Sequence, residues 1–531
     1  MRDEYTLKNF HSLVLRREGV ISFLFIVMFV TPLVIHTSSG QIAHTESPIA
    51  VNTYSPSLDF STYLGDTDFE EGDGIAVGSD GSCYVTGETQ SVNFPTKNAY
   101  QNIYGGGLSD AFIAKFSTNG ALLWSTYLGG NAEDIGYGIA VASDDSCYIV
   151  GYTESSNFPT LNAYQTSSSA MEAFVAKFSA DGVLLWSTYL GGSDYEKGQA
   201  IAINTTDSSC YVSGWTESND FPTLDAYDDT YNGIQDAFIA RFSASGSLLW
   251  STYLGGTGGD GILGIIATSD GNCFASGWTN SIDFPTLNAY DDTYNGDDQD
   301  AFVLKFSASG SLLWSTYLGG STTDWGTGIA VTSDGNSYVT GKTISPNFPT
   351  KNAYQNTFGG SEDAFVAKFS TIGSLLWSTY LGGNDLEYGS SIAINATDNS
   401  CFVTGLTKSK NFPTKNAYDK DLSGVQNAFV VKFFSNGTLV WSSYLGGNSW
   451  DSGTGIAIDN IDECFYVIGG TTSLNFPTKS AYQSTNSGGN DVFITKFFET
   501  TYTSEHSSAY GLLPFIIVIP IFFLSQRKRR K

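Results

Sequence analysis

The sequence predicts an all-β fold, a seven-bladed β-propeller of four-stranded antiparallel blades, and three observations lead to this prediction. First, the phrase Leu-Leu-Trp-Ser-Thr-Tyr-Leu-Gly-Gly at residues 122–130 recurs along the chain with small changes. Second, its tyrosine returns every 62 to 64 residues, which defines one repeated unit. Third, each unit holds four short strand-like runs separated by turn residues, as a propeller blade does. The seven tyrosines are Tyr63, Tyr127, Tyr189, Tyr253, Tyr317, Tyr380 and Tyr444.

The second unit shows the order of its elements. Residues 138–141 (Gly-Ile-Ala-Val) predict a short innermost strand, and Ser-Asp-Asp at 143–145 predicts the turn after it. Residues 147–151 predict the second strand. A long connection with Asn-Phe-Pro-Thr and Asn-Ala-Tyr leads to a third strand at 173–178, and a turn at Asp181 and Gly182 leads to a fourth at 184–190.

The two ends of the repeat region complement each other. The first copy, residues 58–64, is a fourth strand with no other strand before it, and the last copy stops after a third strand at 492–497. We therefore expect the N-terminal strand to complete the last blade. Closing the ring in this way protects edge strands that would otherwise be unpaired.

Six motifs carry a resemblance to a known family. They are Trp-Ser-Thr-Tyr-Leu-Gly-Gly, Gly-Ile-Ala-Val, Tyr-Val-Thr-Gly, Asn-Phe-Pro-Thr, Asn-Ala-Tyr and Asp-Ala-Phe-Val-Ala-Lys-Phe. Over roughly residues 58–498 the chain resembles the seven-bladed β-propeller repeat (SBBP) family of prokaryotic cell-surface proteins. The resemblance implies the fold, and it implies neither a single activity nor catalytic residues.

Composition and charge narrow the possible partners. Aromatic residues are 14% and charged residues 15% of the 531 residues, which is typical of an ordered, strand-rich protein. Four basic and three acidic residues lie in the first 40 positions and five basic residues in the last five, so residues 41–510 carry 16 basic and 50 acidic side chains. Such a domain repels phosphate backbones, so no nucleic-acid partner is expected.

Both ends of the chain have the character of membrane or export segments. Residues 1–40 place Arg16 and Arg17 before an apolar run, as a signal peptide does, although an uncleaved N-terminal hydrophobic segment is an alternative. Residues 511–531 are apolar and end in a basic tail, which predicts a C-terminal transmembrane or sorting segment with its tail in the cytoplasm. Between these ends we expect a leader at 41–57, the propeller at 58–498, outside the cell, and a linker at 499–510. The tail is more typical of an archaeal than of a bacterial surface protein.

One acidic residue recurs five positions before the isoleucine of each innermost strand. If these strands line a central channel, the carboxylates ring one mouth of it and could form a Ca²⁺ or polar-ligand site. The alternative, which we favour, is that each carboxylate accepts backbone N–H bonds and fixes its own loop. The set is Glu70, Asp134, Glu196, Asp260, Asp324, Glu387 and Asp451.

Three long connections are acidic and are candidate binding loops. Their spacing is similar to the start of a calcium loop, but no Glu stands at the twelfth position, so a variable turn is the better interpretation. Variable loops on a rigid scaffold are where binding usually resides. The candidate residues are Asp228, Asp229, Tyr231, Asp291, Asp292, Tyr294, Asp419 and Asp421.

The six cysteines all begin a second strand, in six different units, so equivalent positions would lie on the order of 10 Å apart. A disulfide needs Cα atoms within about 7 Å, and we therefore predict free, buried thiols. The positions are Cys83, Cys147, Cys210, Cys273, Cys401 and Cys464, with Ser337 in the seventh unit.

The residue types argue against an enzyme. All four histidines lie outside the repeats, so no histidine-based triad or metal site can form within the propeller, and Arg241 is the sole arginine between residues 41 and 510. We therefore expect a binding or adhesion module for glycans or partner proteins, tethered to the cell membrane. A structural envelope component is the alternative, and a carboxylate-dependent glycosidase or lyase is less favoured. Exposed aromatic residues clustered on the loop face would favour the first of these.

Overall fold

The regular structure of the described residues, which are 50–505 except 297, consists of β-strands alone in a computed structural model of the chain. Twenty-eight strands form seven four-stranded sheets, and residues 51–504 make up one compact unit. Strands that are consecutive within a blade pair in the antiparallel direction, as the register between β2 and β3 illustrates. The prediction of an all-β, seven-bladed propeller is confirmed.

Each blade has an innermost, a second, a third and an outermost strand. The innermost strands are β2 (Glu70–Val77), β6 (Asp134–Val141), β10 (Glu196–Ile203), β14 (Asp260–Ala267), β18 (Asp324–Val331), β22 (Glu387–Ile394) and β26 (Asp451–Asp459). The second strands are β3 (Cys83–Thr89), β7 (Cys147–Thr153), β11 (Cys210–Thr216), β15 (Cys273–Thr279), β19 (Ser337–Thr343), β23 (Cys401–Thr407) and β27 (Cys464–Thr471).

The third strands are β4 (Asp110–Phe116), β8 (Glu172–Phe178), β12 (Asp236–Phe242), β16 (Asp300–Phe306), β20 (Asp363–Phe369), β24 (Asn427–Phe433) and β28 (Asp491–Glu505). The outermost strands are β5 (Leu122–Leu128), β9 (Leu184–Leu190), β13 (Leu248–Leu254), β17 (Leu312–Leu318), β21 (Leu375–Leu381), β25 (Leu439–Leu445) and β1 (Ala50–Leu64). We number the blades 1 to 7 in the chain order of their innermost strands.

The last blade is closed by the N-terminal strand, as predicted, because its sheet has the order β1-β28-β27-β26. The two terminal strands are longer than the sequence indicates: β1 begins at Ala50 within the predicted leader, and β28 continues to Glu505 within the predicted linker. They continue because they contact each other beyond the repeat, where Thr500 Oγ1 donates to the carbonyl of Ser55 at 3.0 Å. The expected signal peptide at 1–40 and the expected C-terminal segment at 511–531 lie outside the described residues.

The hydrophobic core lies in the seams between neighbouring blades. In the seam of blades 1 and 2, Trp124 is buried and its indole Nε1 donates to the carbonyl of Ala180 in the next blade at 2.9 Å. Gly182, in the turn after that carbonyl, has φ +81° and lies against the same indole ring, where a β-carbon would be 2.8 Å from the ring. The repeated tryptophan and the turn glycine therefore join one blade to the next.

The basic residue of each third strand is partnered, and it is buried in four blades and half-buried in the other three. Arg241 Nη2 lies 2.8 Å from Asp207 Oδ2, Lys432 Nζ lies 2.6 Å from Glu499 Oε2, and Lys115 Nζ sits over the ring of Tyr84. Burial of an isolated charge would be costly, so these contacts explain why the position stays basic in every blade. The six cysteines are buried as free thiols at the start of their strands, as the register predicts.

The strand directions define two faces of the propeller. The connections from second to third strands lie on the same face as those from each outermost strand to the next blade, and we call this the long-loop face. The tight turns lie on the opposite face. Within residues 50–505 apart from 297, no helix is long and apolar enough to cross a membrane.

Candidate functional site

The seven predicted carboxylates lie at the start of the innermost strands, on the long-loop face, and each is fully buried. Every one of them accepts a hydrogen bond from the backbone N–H four residues before it, at 2.7 to 3.0 Å, as Asp324 Oδ2 does from Gly320. Side-chain hydroxyls add to these bonds, for example Ser345 Oγ at 2.8 Å from Asp324 Oδ2. This geometry fixes the loop that enters each blade, which is the interpretation favoured from the sequence.

A second set of buried carboxylates, which the sequence analysis did not single out, faces the first. It consists of the acidic residue that opens six of the third strands. Asp110 Oδ2 accepts the N–H of Gly105 at 2.6 Å and so fixes the long connection of its blade. Asp110 approaches Asp134 of the next blade, and burial followed by that neighbour's charge raises the pKa of Asp110 to about 7. The Asp of the recurring Asp-Ala-Phe motif was the available signal.

The two predicted Asp-Asp-Thr-Tyr-Asn-Gly loops are held by bonds within the loop. Asp228 accepts from the N–H of Thr230 and from the side-chain amide of Asn232, and the hydroxyl of Tyr231 donates to the carbonyl of Ile234. Asp291 and Tyr294 make the same types of contact in the next blade. Tyr231 packs on the buried Tyr253 and Tyr294 on Tyr317, so these tyrosines support their blades. Asp229 and Asp292 are exposed.

The third predicted loop is arranged differently. Asp419 Oδ1 accepts the N–H of Asp421 at 3.1 Å, and both residues line an open cavity of about 440 Å³ together with Lys415 and Lys420. The cavity mixes acidic and basic groups from one short segment. Nothing in its lining brings it close to the other two predicted loops.

A central channel runs between the innermost strands of all seven blades, with a cavity of about 190 Å³. Its lining differs most from blade to blade at one position, which is occupied by Asp73, Tyr137, Gln199, Leu263, Thr327, Ser390 and Thr454. Most positions of the repeat are shared, so this variation marks the channel as a place where the blades are not equivalent.

An acidic sector occupies the part of the long-loop face near blades 1 to 3. Glu71 and Glu88 stand directly opposite each other on β2 and β3, an arrangement that is unfavourable for two like charges. Burial and then the charge of Glu88 raise the pKa of Glu71 to about 7. Burial raises the pKa of Asp73 well above its usual value, and the charge of Glu71 adds to this.

One lysine enters the acidic sector. Lys197 Nζ lies 4.4 Å from the ring centre of Tyr137 and 5.3 Å from that of Tyr152, a cation–π arrangement. Burial lowers the pKa of Lys197, while the charges of Asp73, Glu133 and Glu88 act in the opposite direction. Several carboxylates therefore surround a single ammonium group that the chain itself supplies.

A tryptophan sector lies on the same face. The chain has ten tryptophans, of which six are the repeated residue of an outermost strand. The other four, Trp215, Trp278, Trp325 and Trp450, all lie at the long-loop ends of the two inner strands or immediately before them. Trp278 and Trp325 stack with ring centres 6.2 Å apart, and Lys342 Nζ lies 4.1 Å over Trp325. Trp450 is 47% exposed, and Lys408 Nζ lies 5.0 Å over its ring.

We call the acidic sector and the tryptophan sector together the mouth cluster. The repeated motifs do not predict this cluster, because its residues lie at positions that the blades do not share. The available signal was tryptophan and charged residues at positions where the aligned repeats disagree.

The described residues include no cluster of three or more His, Cys, Asp or Glu side chains placed to hold a metal ion. The aromatic, acidic and ammonium groups of the mouth cluster provide stacking, charge and hydrogen bonding in one area.

The fold and site define the chain as a β-propeller of the repeat type. Residues 123–159 and 313–349 match the SBBP family, described as "Beta-propeller repeat". The resemblance noted from the sequence motifs is confirmed: the chain carries SBBP repeats within a seven-bladed propeller.

Two curated proteins are similar to the chain. It is 22% identical over 488 residues to "Uncharacterized WD repeat-containing protein L264" of Acanthamoeba polyphaga mimivirus, covering 75% of this chain and 34% of that protein. It is 24% identical over 304 residues to "Regulatory protein FlaEY" of Caulobacter vibrioides, covering 54% of this chain and 30% of that protein. The chain thus spans about a third of the length of the curated relatives it matches.

Two solved structures also match the chain. "Structure of U3-55K" has a TM-score of 0.47 and 10% identity, and the match covers 83% of this chain and 99% of that one. "Kuenenia stuttgartiensis Hydrazine Synthase" has a TM-score of 0.41 and 10% identity, covering 76% and 93% of the two chains.

Proposed function

We propose that the protein is a non-catalytic binding propeller that holds a partner protein at the mouth cluster. One observation carries the proposal: the four tryptophans that do not belong to the repeated motif all lie on the long-loop face, around the channel mouth. Tryptophan and tyrosine dominate the binding energy of protein interfaces, and they are most effective when clustered at the centre of a patch.

The charges of the mouth cluster indicate the chemistry of the partner. Glu71, Asp73, Glu88 and Glu133 outnumber the single Lys197 that reaches them. A basic segment of a partner would relieve this repulsion, and the neighbouring Trp278 and Trp325 would contact its apolar side chains. The charge of residues 41–510 would also speed the encounter with a basic surface.

The place of action is part of the proposal. An apolar run preceded by Arg16 and Arg17, and an apolar C-terminal segment followed by five basic residues, support export and attachment to the cell membrane. The propeller would then act outside the cell with the basic tail in the cytoplasm. Glycans are the other ligand class that an aromatic surface suits.

Site-specific photo-crosslinking in intact cells tests the proposal. A photoreactive phenylalanine analogue at Trp278 reports on the mouth cluster, and the same analogue at Asp270, an exposed turn residue of the opposite face, is the matched control. We expect a discrete protein adduct from position 278 that Trp325→Ala removes and that position 270 does not form. Equal adducts from both positions, or none from 278, would contradict the proposal, and a protease-resistant carbohydrate adduct would identify a glycan as the ligand.

A structural envelope role is a second candidate, favoured by the outer surface of the ring. Leu123, Leu185, Leu249, Leu313 and Leu376 are 37 to 40% exposed at equivalent positions of five outermost strands. A regular apolar belt of this kind suits lateral packing against copies of the same chain. If the belt is the functional surface, Leu249→Lys and Leu313→Lys together would abolish cell-surface assembly while leaving mouth adducts unchanged.

A further inference from the structure

Two buried carboxylates from neighbouring blades meet in six of the seven seams on the long-loop face. In each pair, one residue opens a third strand and the other opens the innermost strand of the next blade. The pairs are Asp110 with Asp134, Glu172 with Glu196, Asp236 with Asp260, Asp300 with Asp324, Asp363 with Glu387, and Asp491 with Glu70 across the closure of the ring. All twelve side chains are fully buried. The seventh seam has Asn427 beside Asp451.

The two carboxylates of a seam approach a common point. The first glycine of each Gly-Gly pair marks this point, because a β-carbon on Gly129 would lie 2.6 Å from Asp110 Oδ1 and 2.8 Å from Asp134 Oδ2. At Gly255 the corresponding distances are 2.6 Å to Asp236 Oδ1 and 2.7 Å to Asp260 Oδ2. The two oxygens are therefore no more than about 5.4 Å apart in the seam of Gly129, and one small ion set off from the glycine can contact both carboxylates, since Ca²⁺ binds oxygen at about 2.3–2.6 Å.

One oxygen of the third-strand carboxylate has no hydrogen-bond partner in most of these seams. These oxygens are Asp110 Oδ1, Glu172 Oε2, Asp236 Oδ1, Asp300 Oδ1 and Asp491 Oδ1. At Gly129, Gly255 and Gly319 the oxygen near the common point is the one that lacks a partner. A buried carboxylate oxygen without a donor is unfavourable, and here it points toward a second carboxylate.

No ion pair of the described residues joins a basic side chain to one of these carboxylates. The third-strand residues Lys115, Arg241, Lys432 and Lys496 pair with other acidic residues, and Lys177 and Lys368 donate to backbone carbonyls. The charge of two adjacent carboxylates must therefore be balanced by something that the chain does not provide. Carboxylate and carbonyl oxygens are hard ligands that suit Ca²⁺.

We propose that each of the six paired seams binds one Ca²⁺ ion between its two carboxylates, so that the ions join neighbouring blades. The two side chains supply part of the coordination, and backbone carbonyls or water supply the rest. The pair of Asp491 and Glu70 places one of these ions at the seam that closes the ring. The seam with Asn427 has one carboxylate fewer and binds no ion.

Equilibrium dialysis of the full-length protein in detergent against ⁴⁵CaCl₂ at pH 7.5 and high KCl tests the proposal. We expect six tightly bound ions per chain, five for Asp110→Asn and seven for Asn427→Asp. Asp229→Asn, which alters an exposed carboxylate, is the control and retains six. The gain at Asn427→Asp keeps the test decisive even if Asp110→Asn fails to fold.

Thermal unfolding of the same proteins supplies an independent readout. Calcium chloride should raise the melting temperature of the wild type relative to EDTA, and the rise should be smaller for Asp110→Asn than for Asp229→Asn. No tight binding, or a count that neither variant changes, would overturn the proposal. It would equally be overturned by a protein that calcium leaves unaffected while acid alone stabilises it, since a proton would then occupy each pair.

Discussion

Tryptophans have two different roles in this protein, depending on whether they belong to the repeated motif. Trp124 belongs to the repeat, is 3% exposed and donates to the carbonyl of Ala180 across a seam. Trp278 does not belong to the repeated motif, and it stacks on Trp325 at the channel mouth. At the scale of the residue, a position shared by the blades builds the ring, and a position that departs from the repeat is free for binding.

Replacing Asp324 by Ala tests the role of the repeated carboxylates. The N–H of Gly320 and the hydroxyl of Ser345 would lose their buried acceptor, so we expect the free energy of unfolding to fall by about 1–3 kcal/mol. Urea denaturation followed by tryptophan fluorescence measures this change. Asp229→Ala, at an exposed position, should stay within about 0.5 kcal/mol of the wild type. A comparable loss in both variants would contradict the loop-fixing role.

The cysteines give a second prediction at this scale. Burial raises the pKa of Cys147 to about 12, and the other five thiols are raised in the same way. A thiol reacts through its thiolate, so native protein at pH 8 should not react with a thiol reagent. Unfolding without reductant should release six reactive thiols, as counted by absorbance. Three native disulfides found by mass spectrometry would refute the register assigned to the second strands.

At the scale of the element, the sequence predicts the strands well because turn residues and apolar runs repeat seven times. It also predicts that residues 58–64 complete the last blade, which the order β1-β28-β27-β26 confirms. The extension of β1 to Ala50 could not be predicted, because it depends on pairing with β28 outside the repeat. The mouth cluster was missed for a related reason: its residues share neither a motif nor a spacing, and the closed ring alone brings them together.

Deletion of residues 50–65 tests closure by the terminal strand. β28 would lose its neighbour in the sheet and expose a long unpaired edge, so the truncated protein should aggregate. Size-exclusion chromatography with light scattering measures the outcome. A synthetic peptide of residues 50–65 should reduce aggregation, and a scrambled peptide should not. A monomeric truncated protein with unchanged melting would show that the ring does not depend on this strand.

At the scale of the whole molecule, paired carboxylates make stability depend on pH. Burial is the main reason why the pKa of Asp110, Asp236 and Asp300 is raised to about 7, against about 4 in an unfolded chain. Hydrogen bonds from backbone N–H groups act against this rise, and the charge of the partner carboxylate adds to it. Between these values the unfolded state releases protons that the folded state retains. Stability should therefore be fully present below pH 4 with respect to these groups, fall as the pH rises from about 4 to about 7, and then level off.

Melting temperatures in EDTA between pH 4.5 and 8 check this dependence. The wild type should melt at progressively lower temperature up to about pH 7. A triple variant with Asn at positions 110, 236 and 300 should show a weaker dependence, because its seams no longer exchange those protons. A wild-type melting temperature that rises over the same range would contradict the pairing of buried carboxylates in the seams.

The division between repeated and unrepeated residues is the central claim, and one comparison of tryptophan variants tests it most directly. Trp124→Ala and Trp314→Ala remove buried indoles from seams and should each lower the free energy of unfolding by about 3–5 kcal/mol. Trp278→Ala and Trp450→Ala should change the free energy of unfolding by less than about 1 kcal/mol. Both variants should nevertheless abolish the adduct formed by a photoreactive group placed at Lys342, beside Trp325. The claim is contradicted if the mouth variants destabilise the protein as much as the seam variants do while the adduct persists.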